Sequence, residues 1–104
     1  MEITKYGLIG YPLSHSFSPG YFAERFKKEN IYHTSYDLRP MEHLKKVKKE
    51  MQDYAGFNVT IPHKREIVNY LDEVKGVAKK IGSVNCVKIE EGRWIGYNLS
   101  LIHI

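Results

Sequence analysis

Two serines spaced two apart, a threonine and a lysine spaced four apart, and one asparagine inside an apolar run are the side chains best suited to chemistry here. Ser16 and Ser18 lie in Ser14-His15-Ser16-Phe17-Ser18-Pro19. Ser18-Pro19 is a helix-start signal: serine caps, and proline suits the first helical position. Free N–H groups and the positive dipole end suit an anion there, and both hydroxyls could donate to one carboxylate. A cap and a turn residue explain the same serines without a ligand. In Asn58-Val59-Thr60-Ile61-Pro62-His63-Lys64, Asn58 and Thr60 alternate onto one face, with Val59 and Ile61 on the other. Lys64 follows within one helical turn, where an amine can exchange a proton with a substrate hydroxyl; a solvated lysine is the plain alternative. His63 competes for the acid–base role. Asn85, in Ser83-Val84-Asn85-Cys86, needs partners for its amide, and backbone or ligand hydroxyls would serve equally. Cys86 reads as a small residue on the strand's apolar side rather than a nucleophile, since no histidine pairs with it.

These residues gain weight from where they fall. Tyr6–Gly10, Tyr32–Leu38, Tyr54–Thr60, Ser83–Ile89 and Arg93–Tyr97 read as strands. A helix is expected from Ser18 to about Asn30, with Tyr21, Phe22 and Phe26 on its apolar side. A second runs from Met41 to Gln52, a third from His63 to Tyr70, and a turn or helix from Leu71 to Lys80. Glu90-Glu91-Gly92 reads as a three-residue hairpin loop. This alternation predicts an α/β domain: a three-layer α/β/α sandwich whose mostly parallel sheet is closed by an antiparallel hairpin. Open sheets of this class bind ligands at the carboxyl ends of their strands. The spacing therefore predicts one cleft lined by Ser16, Ser18, Thr60, Lys64 and Asn85.

The 104 residues suffice for one domain, which buries roughly two-thirds of its unfolded surface. A hydrophobic share of 42% argues against disorder. The single cysteine excludes an intramolecular disulfide and Cys-x-x-Cys metal clusters and suits a reducing compartment. No apolar stretch approaches the ~18 residues of a membrane helix, and Met1-Glu2-Ile3-Thr4-Lys5 begins no signal peptide. The net charge of +4 owes much to Lys45, Lys46, Lys48 and Lys49. Leu44, Val47 and Met51 recur at helical spacing, so the lysines form the opposite, solvated face rather than a nucleic-acid footprint. The expectation is a soluble cytoplasmic protein with neither nucleic-acid nor membrane partners. Gly-x-Gly-x-x-Gly, Gly-x-x-x-x-Gly-Lys-Ser/Thr and His-Glu-x-x-His are all absent, so no cofactor-binding or metal-binding residue is expected.

Taken together, Gly10-Tyr11-Pro12-Leu13-Ser14-His15-Ser16-Phe17-Ser18-Pro19, Gly56-Phe57-Asn58-Val59-Thr60-Ile61-Pro62-His63-Lys64, Leu71-Asp72-Glu73 and Ile81-Gly82-Ser83-Val84-Asn85 resemble the N-terminal, substrate-binding domain of shikimate dehydrogenase, in order and spacing. The resemblance implies an enzyme family that reduces 3-dehydroshikimate to shikimate with NADP, the cofactor being held by a second, Rossmann-type domain. It implies Ser16 and Ser18 on the substrate carboxylate, Thr60 and Asn85 on its other polar groups, and Lys64 as the catalytic lysine. The family motif Gly-x-Asn-Thr-Asp, whose aspartate pairs with the lysine, stands here as Gly96-Tyr97-Asn98-Leu99-Ser100. The resemblance ends at Asn98. Residues 1–98 are therefore expected to be the domain, and residues 99–104 a non-matching tail left by truncation or a scar. A quinate/shikimate-type dehydrogenase and a stand-alone hydroxy-acid binding module are the alternatives.

Overall fold

A computed structural model describes residues 4–13 and 34–99. Six strands form one sheet: β1 (Thr4–Gly10), β2 (Thr34–Pro40), β3 (Gly56–Val59), β4 (Glu73–Val74), β5 (Cys86–Glu90) and β6 (Arg93–Tyr97). Among the described residues, two short helices, α1 (Val47–Glu50) and α2 (Val77–Ile81), and a 3-10 turn (Glu66–Tyr70) connect them. The strand order is β2-β1-β3-β5-β6-β4. β1 pairs in parallel with β2 and β3, and β4 with β6, whereas β5 runs antiparallel to both neighbours. The α/β class and the shared sheet of all five expected strands are as predicted. The expected helix over 18–30 and the serine loop before it lie outside the described residues.

Four local expectations are corrected. The lysine-rich helix shrinks to α1. Its apolar stripe is as predicted, with Leu44, Val47 and Met51 no more than 1% exposed and the four lysines in solvent. Met41, however, donates its N–H to Gly10 O at 2.8 Å, and its carbonyl accepts from His63 Nε2. Tertiary bonds hold the start of the segment out of the helical i→i−4 pattern. The His63–Tyr70 helix is a 3-10 turn, with Val68 N bonded to Arg65 O and Leu71 N to Val68 O. Glu73–Val74, expected within a turn or helix, is a sixth strand. It satisfies the otherwise open edge of β6, where Asp72 N donates to Trp94 O and Lys75 N to Gly96 O. A two-residue strand is too short to show a period. The hairpin loop is Glu91-Gly92 alone, because Glu90 pairs with Arg93. Positive φ at both loop residues (49° and 80°) is what a type I′ turn demands and what Gly92 supplies.

One core lies against one face of the sheet. Ile9, Phe57, Val59, Val87 and Trp94 project from the strands onto Val47 of α1, Ile67 of the 3-10 turn and Ala78 of α2. Phe57 and Trp94 meet edge to face, ring centroids 5.3 Å apart. Lys48 then covers the outer side of Trp94, its ammonium 4.3 Å from the ring centroid. Cys86 does not point into this core. Register sets Val87 opposite Phe57 and Cys86 opposite Asn58, so the cysteine belongs to the other face of the sheet, half-buried. Ile61, expected on the apolar side with Val59, is 66% exposed, because the sheet has ended before it.

Trp94→Ala should therefore cost about 3–5 kcal/mol and Ile9→Ala about 2–5 kcal/mol. Ile61→Ala should stay within about 0.5 kcal/mol. Urea unfolding followed by far-ultraviolet circular dichroism measures all three.

Candidate active site

The site is built where β1 and β3 end. Thr60 N donates to Ile9 O at 2.9 Å, and Tyr11 N donates to Ile61 O at 3.0 Å, so the loops leaving the two parallel strands stay side by side. Gly10 makes this possible: a Cβ there would lie 2.3 Å from Thr60 Cγ2 and 3.0 Å from Ile61 O. Only a glycine lets the first loop approach so closely. Both loops contain a cis X-Pro bond, Tyr11-Pro12 and Ile61-Pro62.

β5 runs antiparallel to β3, so its beginning lies at the end of β3. Asn85, just ahead of β5, accepts from Val59 N at 2.9 Å and donates its own N–H to Tyr97 O at 3.0 Å. Lys64 O accepts from Val84 N at 2.8 Å, which ties the lysine turn to the same place. Thr60, Lys64 and Asn85, three of the residues singled out in the sequence, are thus brought to one end of the sheet by backbone bonds. All three are half-buried. Ser16 and Ser18, the other two, lie outside the described residues.

His63 is buried and bonded within the protein. It is 1% exposed and bonds through Nε2 to Met41 O. A carbonyl only accepts, so Nε2 carries the proton and the buried Nδ1 is left with no hydrogen-bond partner. The ring fastens the segment after β2 to the lysine turn, leaving Lys64 as the proton-exchanging candidate. Asn85 answers the question its sequence left open through protein groups: Oδ1 accepts from Leu99 N at 2.9 Å, and Nδ2 reaches Asn98 Oδ1 at 3.4 Å. Asn98 in turn donates to Ser83 O at 3.1 Å.

Sequence reasoning missed a further chain of bonds. Tyr36 Oη donates to Asn58 Oδ1 at 2.8 Å, and Asn58 Nδ2 donates to Asn85 O at 3.4 Å. Burial pushes the Tyr36 phenol up to about 12. Asn58 was visible as a polar residue in an apolar strand, but its partner lies 22 positions away across a register the sequence does not state. Burial also raises the Cys86 thiol above its usual range, which disfavours the nucleophilic thiolate.

In a nucleotide-binding turn, free backbone N–H groups and a glycine that lets the backbone come close receive the pyrophosphate. Here Tyr11 N is committed to Ile61 O, and Thr60 fills the space beside Gly10. Among the described residues no group of His, Cys, Asp or Glu could hold a metal, and no helix is long and apolar enough to cross a membrane.

Among the described residues, an α/β sheet thus brings a threonine, a lysine and an asparagine to one end of its strands. Residues 8–87 match the family profile described as the shikimate dehydrogenase substrate binding domain, and the chain belongs to that family. It is 49% identical over 96 residues to the NADP(+) shikimate dehydrogenase of Methanocaldococcus jannaschii, a match covering 88% of this chain and 34% of the relative. A crystal structure of a shikimate dehydrogenase in complex with NADP+ superimposes with a TM-score of 0.82 at 45% identity, covering 92% of this chain and 34% of that one. The Listeria monocytogenes shikimate 5-dehydrogenase, crystallised with shikimate and NAD, gives 0.79 at 31% identity, covering 91% and 34%. The chain thus spans about a third of the length of the relatives it matches.

Cys86 provides a direct check on the electrostatics of the sheet, since it is the only cysteine. Its reaction rate with iodoacetamide should rise only at a pH above the ordinary thiol value of about 8.5, and unfolding in urea should restore that value. The folded state holds the thiol proton more tightly, so the unfolded chain loses it first. Stability should accordingly fall as pH rises through about 8.5.

Proposed function

We propose that this chain is the substrate-binding domain of an NADP-dependent shikimate dehydrogenase, the oxidoreductase that interconverts 3-dehydroshikimate and shikimate in aromatic amino-acid biosynthesis. The observation that carries this reading is the gathering of Thr60, Lys64 and Asn85 at one end of the sheet, in a chain whose residues 8–87 match that domain. We assign residues 1–98 to the domain and leave 99–104 outside the family's pattern. Ser16 and Ser18 take the substrate carboxylate, and Thr60 and Asn85 take its hydroxyl or carbonyl oxygens.

Reduction of a ketone needs a hydride at carbon and a proton at oxygen. NADPH supplies the hydride, and its place is in the two-thirds of the relatives that this chain does not match. Lys64 supplies the proton: its ammonium donates to the oxygen as negative charge develops there, and in the reverse direction the amine takes the proton back. The family's aspartate partner of the lysine is replaced by Ser100, which cannot provide the negative charge. The reaction takes place in the cytoplasm, a reducing compartment that suits the single free cysteine.

The 104-residue chain should bind shikimate, with shifts in the ¹H–¹⁵N spectrum concentrated at Thr60, Lys64 and Asn85. It should show no response to NADP and no NADP-dependent shikimate oxidation. A chain that responds to NADP but not to shikimate would overturn the reading.

Joining residues 1–100, with Leu99-Ser100 changed to Thr-Asp, to the remainder of a relative should give oxidation of shikimate with NADP. In that enzyme Lys64→Ala should lower kcat by roughly 10²–10⁴-fold. Ser16→Ala should mainly raise KM, because a hydroxyl on the remote carboxylate binds ground and transition states alike. Steady-state kinetics separates the two signatures.

A further inference from the structure

Tyr36 stands on β2 at the edge of the sheet, two strands away from β3. Its register partner on β1 is Tyr6, and that of Tyr6 on β3 is Gly56. The phenol therefore reaches diagonally over β1 to Asn58, two residues nearer the strand ends, where its hydroxyl lies 2.8 Å from Asn58 Oδ1. The other arm of that amide, Nδ2, meets the Asn85 carbonyl, which also accepts from Val59 N. Chemistry dictates which way the amide faces. The Asn85 carbonyl can only accept, so Nδ2 must face it, and Oδ1 is left for a donor. The Tyr36 hydroxyl is that donor. Burial keeps it protonated, its pKa pushed up to about 12.

We propose that Tyr36 is a positioning residue of the site: its hydroxyl fixes the orientation of the Asn58 amide, and through it the peptide from which Asn85 projects toward the substrate. This rests on the functional reading above for the word substrate, but the orienting of Asn58 stands on geometry alone. Without the phenolic hydroxyl, Oδ1 of a half-buried amide loses its donor. The amide then gains freedom to rotate, and rotation turns an acceptor toward the Asn85 carbonyl. β3 and β5 would keep their ladder bond, Val59 N to Asn85 O, yet lose the second bond that steadies the same carbonyl.

The test is Tyr36→Phe in the 104-residue chain, which keeps the ring and removes the hydroxyl. Without ligand, the Asn58 side-chain amide signals should move and the Val59 amide should exchange faster with solvent. Shikimate affinity should fall about 3- to 10-fold, the worth of one net hydrogen bond. In an Asn58→Ala background the same substitution should change affinity no further, because the hydroxyl acts through that amide. Tyr6→Phe, on the same face but with a 39% exposed side chain, should leave the Asn58 signals and the affinity alone. Unchanged Asn58 signals in Tyr36→Phe, or additive losses in the double variant, would overturn the proposal. A wild-type chain that binds no shikimate overturns the functional reading instead; the ligand-free Asn58 and Val59 signals then decide the orienting role by themselves.

Discussion

The contact between Gly10 and Thr60 is the constraint on which the rest depends. Two parallel strands can end side by side only if the chains leaving them do not collide, and a side chain at position 10 would collide with Thr60 and the Ile61 carbonyl. With hydrogen there, Thr60 N reaches Ile9 O and Tyr11 N reaches Ile61 O. Both peptide groups are then satisfied within the protein. The same close approach aligns the two loops at the end of the sheet.

The direction of β5 does the remaining positioning. An antiparallel neighbour starts where β3 stops, so a residue just before β5 and a residue just after β3 meet without any long loop. Asn85 and Thr60 are such a pair. β6, antiparallel to β5, returns in the direction of β1 and β3 and ends at the same edge, which brings Asn98 and Leu99 against Asn85. Beneath them the Ile9, Phe57, Val87 and Trp94 packing makes the sheet a rigid base. Lys64 is held from both sides: its carbonyl takes Val84 N, and its neighbour His63 is buried against Met41.

What could be read in the sequence followed from local rules. The strands were legible because apolar runs ended at glycine, proline or charged turns, and the stripe of Leu44, Val47 and Met51 because helical spacing survives even when the helix does not. Thr60, Lys64 and Asn85 were legible because polar residues at strand ends are rare enough to notice. What could not be read was whatever another segment decided. The Met41–Lys46 stretch lost its helix to bonds with Gly10 and His63. Glu73–Val74 became a strand because β6 needed an edge partner. Cys86 changed faces because its parity was set by pairing with Asn58, not by its apolar character. Tyr36 gave no sign of its role, since nothing near it in sequence names a partner two strands away.

The bonds around Asn85 bear on how a ligand could be received there. Its amide oxygen accepts from Leu99 N, and its amide nitrogen reaches Asn98 Oδ1. Partners on both arms fix the plane of the amide. Fixing the plane means that little rotamer freedom remains to be lost on binding, so contacts formed there add more of their strength to affinity.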